Sequence, residues 1–148
     1  MTILLLAEHN NETLHDATAK ALSAALQLGQ EVDILVAGAG VEAVAKAAAA
    51  HGGVRKVLVA ETGAGQLAEP IAATIIGLAA GYGGFVAAAT ATGRSVMPRV
   101  AGALNVMQVS DVVKVVAPDT FVRPIYAGNA LETVQSTDAI LVMTVRVA

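Results

Sequence analysis

The 148-residue chain has no cysteine. That excludes disulfides, thiolate zinc sites and a cysteine nucleophile, and it is compatible with a reducing compartment. Aromatic residues are scarce, at 3%, and charged residues make up only 14%. The nine Lys and Arg are scattered, so no basic stripe suggests nucleic acid, and the net charge is −3. The opening MTILLLAEHN lacks the basic start of a secretion signal and meets an acid at Glu8. With no targeting segment legible, the expectation is a cytoplasmic protein. The longest stretch without charge, residues 70–93, is rich in alanine and broken by Gly-Tyr-Gly-Gly at 81–84. A spanning helix needs roughly 20 strongly apolar residues, so this stretch reads as buried helix, turn and buried strand.

What the chain does contain is apolar: 55% of its residues, of which 32 are alanine. Alanine favours helix. Short apolar runs at 2–7, 32–37, 55–60 and 85–90 read as strands. Helical spacing follows each of them. The first helix is expected within 12–29, with Thr13 and Asp16 at its start and Gly29 at its stop. The second covers 41–50 and the third 67–80. The fourth has Pro98 in its first turn and runs to about Val106. Four successive β–α units predict an α/β, three-layer, mostly parallel sheet with helices on both faces, a Rossmann-like arrangement within a single domain over 1–148. The near-continuous apolar strands agree, because strands of parallel sheets are buried on both faces.

After residue 108 the rhythm changes. Residues 109–148 hold no helical pattern and are broken by turn chemistry at Pro118-Asp119, Gly128-Asn129 and 136–138. They predict an antiparallel C-terminal meander after the β–α units of 1–108. Within it, FVRPIYAGNA (121–130) gathers Arg123, Pro124 and Tyr126 before a Gly128-Asn129 turn. A two-residue loop there sets Arg123 opposite Val134, with Glu132 as a diagonal neighbour within ion-pair reach. Pro124 has no amide donor, which places it at an edge or bulge.

Few motifs carry chemistry. Gly38-Ala39-Gly40-Val41-Glu42-Ala43 fits the G-x-G-x-x-A of dinucleotide-binding turns, and Glu61 ends the next strand where such folds place a ribose-binding acid. A nucleotide site using Gly38, Gly40 and Glu61 is therefore the alternative functional reading. Its bland counterpart is that any β–α turn in a glycine-rich chain sometimes spells this pattern. His9, His15 and His51 do not form a metal set, and Glu8-His9 at the end of the first strand is a polar loop or a weak ligand site. Arg94 and Arg99 lie in a segment without the P-loop pattern. No nucleophile, base and acid fall into a catalytic arrangement, which points away from an enzyme.

Several of these runs, taken in order, resemble one family. They are AEH (7–9), GRSVMPRVAGAL (93–104), SDV (110–112), DTFVRPIYAGNALETV (119–134) and VMTVR (142–146). They are similar to the N-terminal domain of the electron transfer flavoprotein alpha subunit, over essentially the whole chain. The resemblance implies a heterodimer with a beta subunit that carries electrons from dehydrogenases to an acceptor. It also implies FAD held mostly by a C-terminal domain that is absent from these residues, no cofactor in this part, and a structural role for the GAGVEA turn. Arg123, Pro124, Tyr126, Asn129 and Arg99 become candidates for packing against the beta subunit or the flavin domain.

Overall fold

In the computed structural model, which describes residues 1–29 and 31–147, an α/β sandwich carries a small second sheet. The main sheet contains β1 (Thr2–Leu6), β2 (Glu31–Gly38), β3 (Val54–Glu61), β4 (Gly84–Ala88), β5 (Gln108–Val112) and β9 (Leu141–Val145). Its order is β3-β2-β1-β4-β9-β5, and every pairing is parallel. The helices are α1 (Ala17–Leu28), α2 (Glu42–Ala49), α3 (Ala68–Leu78) and α4 (Ala91–Leu104). A short 3₁₀ turn at Ala79–Gly81 follows α3. One core contains residues of α1 and α2 together with Phe121, and the opposite core residues of α3 and α4. Helices therefore cover both sheet faces.

The expected α/β class and first four strands are present. The antiparallel portion is narrower than the sequence suggests. It comprises β6 (Lys114–Ala117), β7 (Thr120–Ile125) and β8 (Ala130–Gln135), in the order β6-β7-β8. β5 and β9 belong to the parallel sheet. The reason is visible in burial: all five residues of β9 are buried, whereas β8 alternates half-buried and exposed. A strand covered on both faces fits the interior of a parallel sheet, and an alternating one fits a half-solvated antiparallel sheet.

Two helix starts also differ. Thr13 is held by the Asn10 side chain, whose Oδ1 accepts from the backbone N–H of Glu12 and Thr13 at 3.0 and 2.7 Å. That local turn competes with helix, so α1 begins only at Ala17, after an Asp16 that makes no side-chain cap. α4 begins at Ala91, capped by Thr90 Oγ1, which accepts from Gly93 N at 3.4 Å. Pro98 thus sits in the middle of α4. Gly93 is required there by close approach: a β-carbon would lie 1.9 Å from the Ala88 carbonyl oxygen.

Candidate functional site: the strand-end crevice and the hairpin rim

In open α/β sheets, ligands bind at the carboxyl ends of the strands where the strand order reverses. Here that point lies between β1 and β4. Glu8 follows β1 and Thr90 precedes α4, and the Thr90 hydroxyl donates to Glu8 Oε2 at 2.8 Å. The carboxylate therefore rests against the N-terminus of α4, where the helix dipole favours negative charge.

The GAGVEA turn lies beside it. A β-carbon on Gly38 would come within 2.3 Å of Asn11 Oδ1 and 2.9 Å of His9 Cε1. The space over this glycine is thus occupied by the chain's own side chains. Asn11 Oδ1 accepts from Ala39 N at 3.2 Å, and its amide donates to the Ala64 carbonyl at 2.9 Å. His9 Nε2 donates to the Ala37 carbonyl at 2.8 Å, and Nδ1 accepts from Asn11 N at 2.9 Å. That pairing assigns the neutral imidazole with its proton on Nε2. Burial lowers the His9 pKa, outweighing the Ala37 bond and the Glu8 charge, which both raise it. Gln66 adds a bond from Nε2 to Ala37 O at 3.1 Å. The loops after β1, β2 and β3 are stitched together at this point. Gly40 has φ +61° and open space, and Glu61 is exposed at the end of β3. Sequence reasoning proposed Gly38 and Gly40, but missed Asn11 as the group that fills the turn; its left-handed φ of 72° becomes legible only in three dimensions.

The hairpin residues divide by direction. Arg123 stands directly opposite Glu132, and Ile125 opposite Ala130. The register is shifted by two from the expected one because the loop is four residues long, with Tyr126, Ala127 and Gly128 all at positive φ. A shift of two keeps every side chain on its expected face, so the Arg123–Glu132 pair forms, at 2.5 Å. Arg123 also donates to the Ser110 carbonyl and hydroxyl at 2.9 and 3.2 Å. Its guanidinium thus works within the chain. Pro124 lies beyond the stretch of β7 that β6 covers, since β6 pairs no further than Val122. Tyr126 is 79% exposed, and Asn129 is exposed beside it. Arg99 is on α4, 3.8 Å from Glu69 of α3, away from the hairpin in the chain's layering.

A buried charge cluster escaped the sequence reading. Asp33 is fully buried in β2. Arg55 grips it with two bonds, Nε to Oδ1 at 2.8 Å and Nη2 to Oδ2 at 2.7 Å, and the Tyr82 hydroxyl donates to Oδ2 at 2.5 Å. Burial pushes the Asp33 carboxyl up, but the Arg55 and Tyr82 hydrogen bonds and nearby cations hold it below its usual range. Tyr82 is pushed up to about 12, first by burial and then by its bond to Asp33. The cluster sits at the amino ends of the strands, opposite the crevice. The legible signal was a lone acid inside the apolar run VDILVA.

Among the described residues no group of His, Asp and Glu is arranged to hold a metal, and no helix is long and apolar enough to cross a membrane. The fold and its crevice define a Rossmann-like α/β domain with an appended antiparallel hairpin sheet. The chain belongs to the electron transfer flavoprotein domain family, whose profile matches residues 3–148. It is 58% identical over 148 residues to the electron transfer flavoprotein subunit alpha of Bradyrhizobium diazoefficiens, covering 99% of this chain and 47% of that protein. The subunit alpha of Pseudomonas aeruginosa is 51% identical, with 99% and 48% covered. A probable mitochondrial subunit alpha of Caenorhabditis elegans is 41% identical, with 97% and 44% covered. The chain spans about half the length of these curated relatives.

Proposed function

We propose that these residues form the N-terminal scaffold and subunit-interface domain of an electron transfer flavoprotein alpha subunit, a carrier that shuttles electrons from dehydrogenases to an acceptor. On this reading the chain is not itself an enzyme. FAD belongs to a C-terminal domain of the intact protein, and the partners are the beta subunit and that flavin domain. A structural role for the GAGVEA turn is supported by Asn11 and His9, which stand over Gly38, while Gly40 is open.

The observation that carries the reading is the outward face of the small sheet. The register places Lys114, Val122, Pro124, Leu131 and Thr133 on one side, opposite the inward Phe121 and Val134. Leu131 is 64% exposed next to the turn that holds the exposed Tyr126, and Val116 is 54% exposed toward the other end of the sheet. Exposed apolar residues and a tyrosine are what an interface core enriches.

The test pairs the chain with an electron transfer flavoprotein beta subunit in sedimentation experiments. Leu131→Asp with Tyr126→Ser is expected to weaken association at least about tenfold, roughly 1.4 kcal/mol, without lowering the melting temperature. Stoichiometric uptake of added FAD by the chain alone, seen as flavin absorbance after gel filtration, would overturn the scaffold reading.

A further inference from the structure

We propose that the cleft between β5 and the β7–β8 hairpin is a receptor for a basic side chain, lysine or arginine, projecting from a partner protein. The cleft measures about 440 Å³ and is walled by Met107–Ser110 on one side and by Arg123, Glu132 and Val134 on the other, with residues 135–138 closing one end. That volume lies within the range of specific ligand pockets.

The polar groups of the lining decide the sign of the ligand. Arg123 is its single cation, and each of its three nitrogens already donates: Nε and Nη2 to Ser110, Nη1 to Glu132. The acceptors outnumber it. Glu132 is engaged through Oε1, and Asp138 through Oδ2, which accepts from Met107 N at 2.9 Å. Each carboxylate keeps a second oxygen with no protein donor among the described residues. The Gln108 Oε1 atom is buried in the wall and likewise accepts nothing. One guanidinium against two carboxylates leaves the lining at a net charge of −1. An anion would meet two carboxylates whose one counter-charge is already taken. An ammonium or guanidinium brings the missing donors.

The apolar part of the cleft fits the rest of such a side chain. Met107 stands at the mouth, 76% exposed, and Val109 and Val134 line the interior. A flexible thioether adapts to varied shapes, and the aliphatic stems of lysine and arginine bury along apolar surface while the charged head finds polar partners. That the ligand is carried by a protein rests on the interface reading above; the preference for a cation does not.

The experiment is an NMR titration of the ¹⁵N-labelled chain. The probes are Nα-acetyl-arginine amide and Nα-acetyl-lysine amide, with Nα-acetyl-glutamate amide as the sign control and spermidine as a free polycation. Saturable shifts are expected at the amides of Met107 and Ser136–Asp138 with the basic probes, with dissociation constants on the order of millimolar. They should weaken with added salt. Asp138→Asn keeps an acceptor for Met107 N and should weaken the basic probes about threefold, as for a partly exposed ion pair. Glu132→Gln should do the same, with circular dichroism confirming the fold. Absence of saturable shifts at those amides, or equal shifts with the glutamate probe, would overturn the proposal. Spermidine binding more tightly than both capped amino acids would overturn the assignment to a protein side chain. Outer-face variants that lose the beta subunit yet still bind capped arginine would count against neither the cleft nor its sign, so the two readings fail separately.

Discussion

Arg123 of the hairpin donates to Ser110 of the main sheet through both Nε, to the carbonyl at 2.9 Å, and Nη2, to the hydroxyl at 3.2 Å. β5 is an edge strand, and an edge carbonyl left open invites unwanted pairing. That side chain takes up one β5 carbonyl and ties the small sheet to the large one. Arg123→Ala is expected to destabilise the fold by about 1.5–3 kcal/mol, the range for hydrogen bonds to a charged group. Arg123→Lys should recover less than half of this, since an ammonium cannot reproduce the fork. Urea unfolding measures both, and an alanine variant indistinguishable from the parent would refute the tie.

Asn11 and Gly38 should behave as a coupled pair. Gly38→Ala puts a methyl 2.3 Å from Asn11 Oδ1 and is expected to cost about 1–3 kcal/mol. In an Asn11→Gly background the same substitution should cost less than half as much. Calorimetric melting of the four proteins closes the cycle, and simple additivity would mean that Asn11 does not fill the turn.

Two glycines of α4 should respond with opposite signs. Gly93→Ala drives its methyl into the Ala88 carbonyl, a backbone atom that cannot swing away, so α4 must lift from the sheet. A loss of about 3 kcal/mol is expected. Gly102 has nothing within 4 Å of its absent β-carbon, so Gly102→Ala should stabilise by about 0.5–1 kcal/mol through helix propensity alone. Thermal melts of the two variants test the contrast.

Stability should fall at both pH extremes, through different groups of one cluster. Asp33 titrates lower in the folded chain than its ordinary 3.8. Its contribution is therefore present above about pH 4 and is lost as pH falls through the folded value. Tyr82 is raised from 10.0 to about 12, so its contribution is present below pH 10 and disappears as pH rises from there toward 12. His9, outside this cluster, is lowered from 6.5, which adds a loss as pH drops below 6.5, because the unfolded chain takes up its proton first. Tyr82→Phe should flatten the alkaline limb of a stability-against-pH curve and leave the His9 region unchanged. An alkaline limb identical to the parent's would reject the assignment.

Much of the fold could be read from local pattern. The runs TILLLA, VDILVA and FVAAAT became strands because continuous apolar stretches of that length suit a sheet covered on both faces, whereas RKVLVA became the edge strand β3, with Arg55, Lys56 and Val59 exposed. The Arg123–Glu132 pairing was also legible, since side-chain parity survives an even register shift. LVMTV carried the same apolar signature, yet it follows turns and alternating strands, so it read as one more hairpin arm. Whether such a run pairs with its sequence neighbour or returns to the middle of a distant sheet is a question of long-range burial, and short-range periodicity is the same in both cases.

The amino-acid order alone therefore determined the layered α/β class, the hairpin carrying Arg123 and Tyr126, and the runs by which the family is recognised, because each depends on periodicity or contiguous motif. Tertiary structure decided that β9 lies between β4 and β5, that Asn11 covers Gly38, and that Arg123 turns inward while Leu131 and Tyr126 face out. Those outcomes depend on which distant segments meet, and the meeting is set by the burial of whole faces rather than by any one stretch of chain.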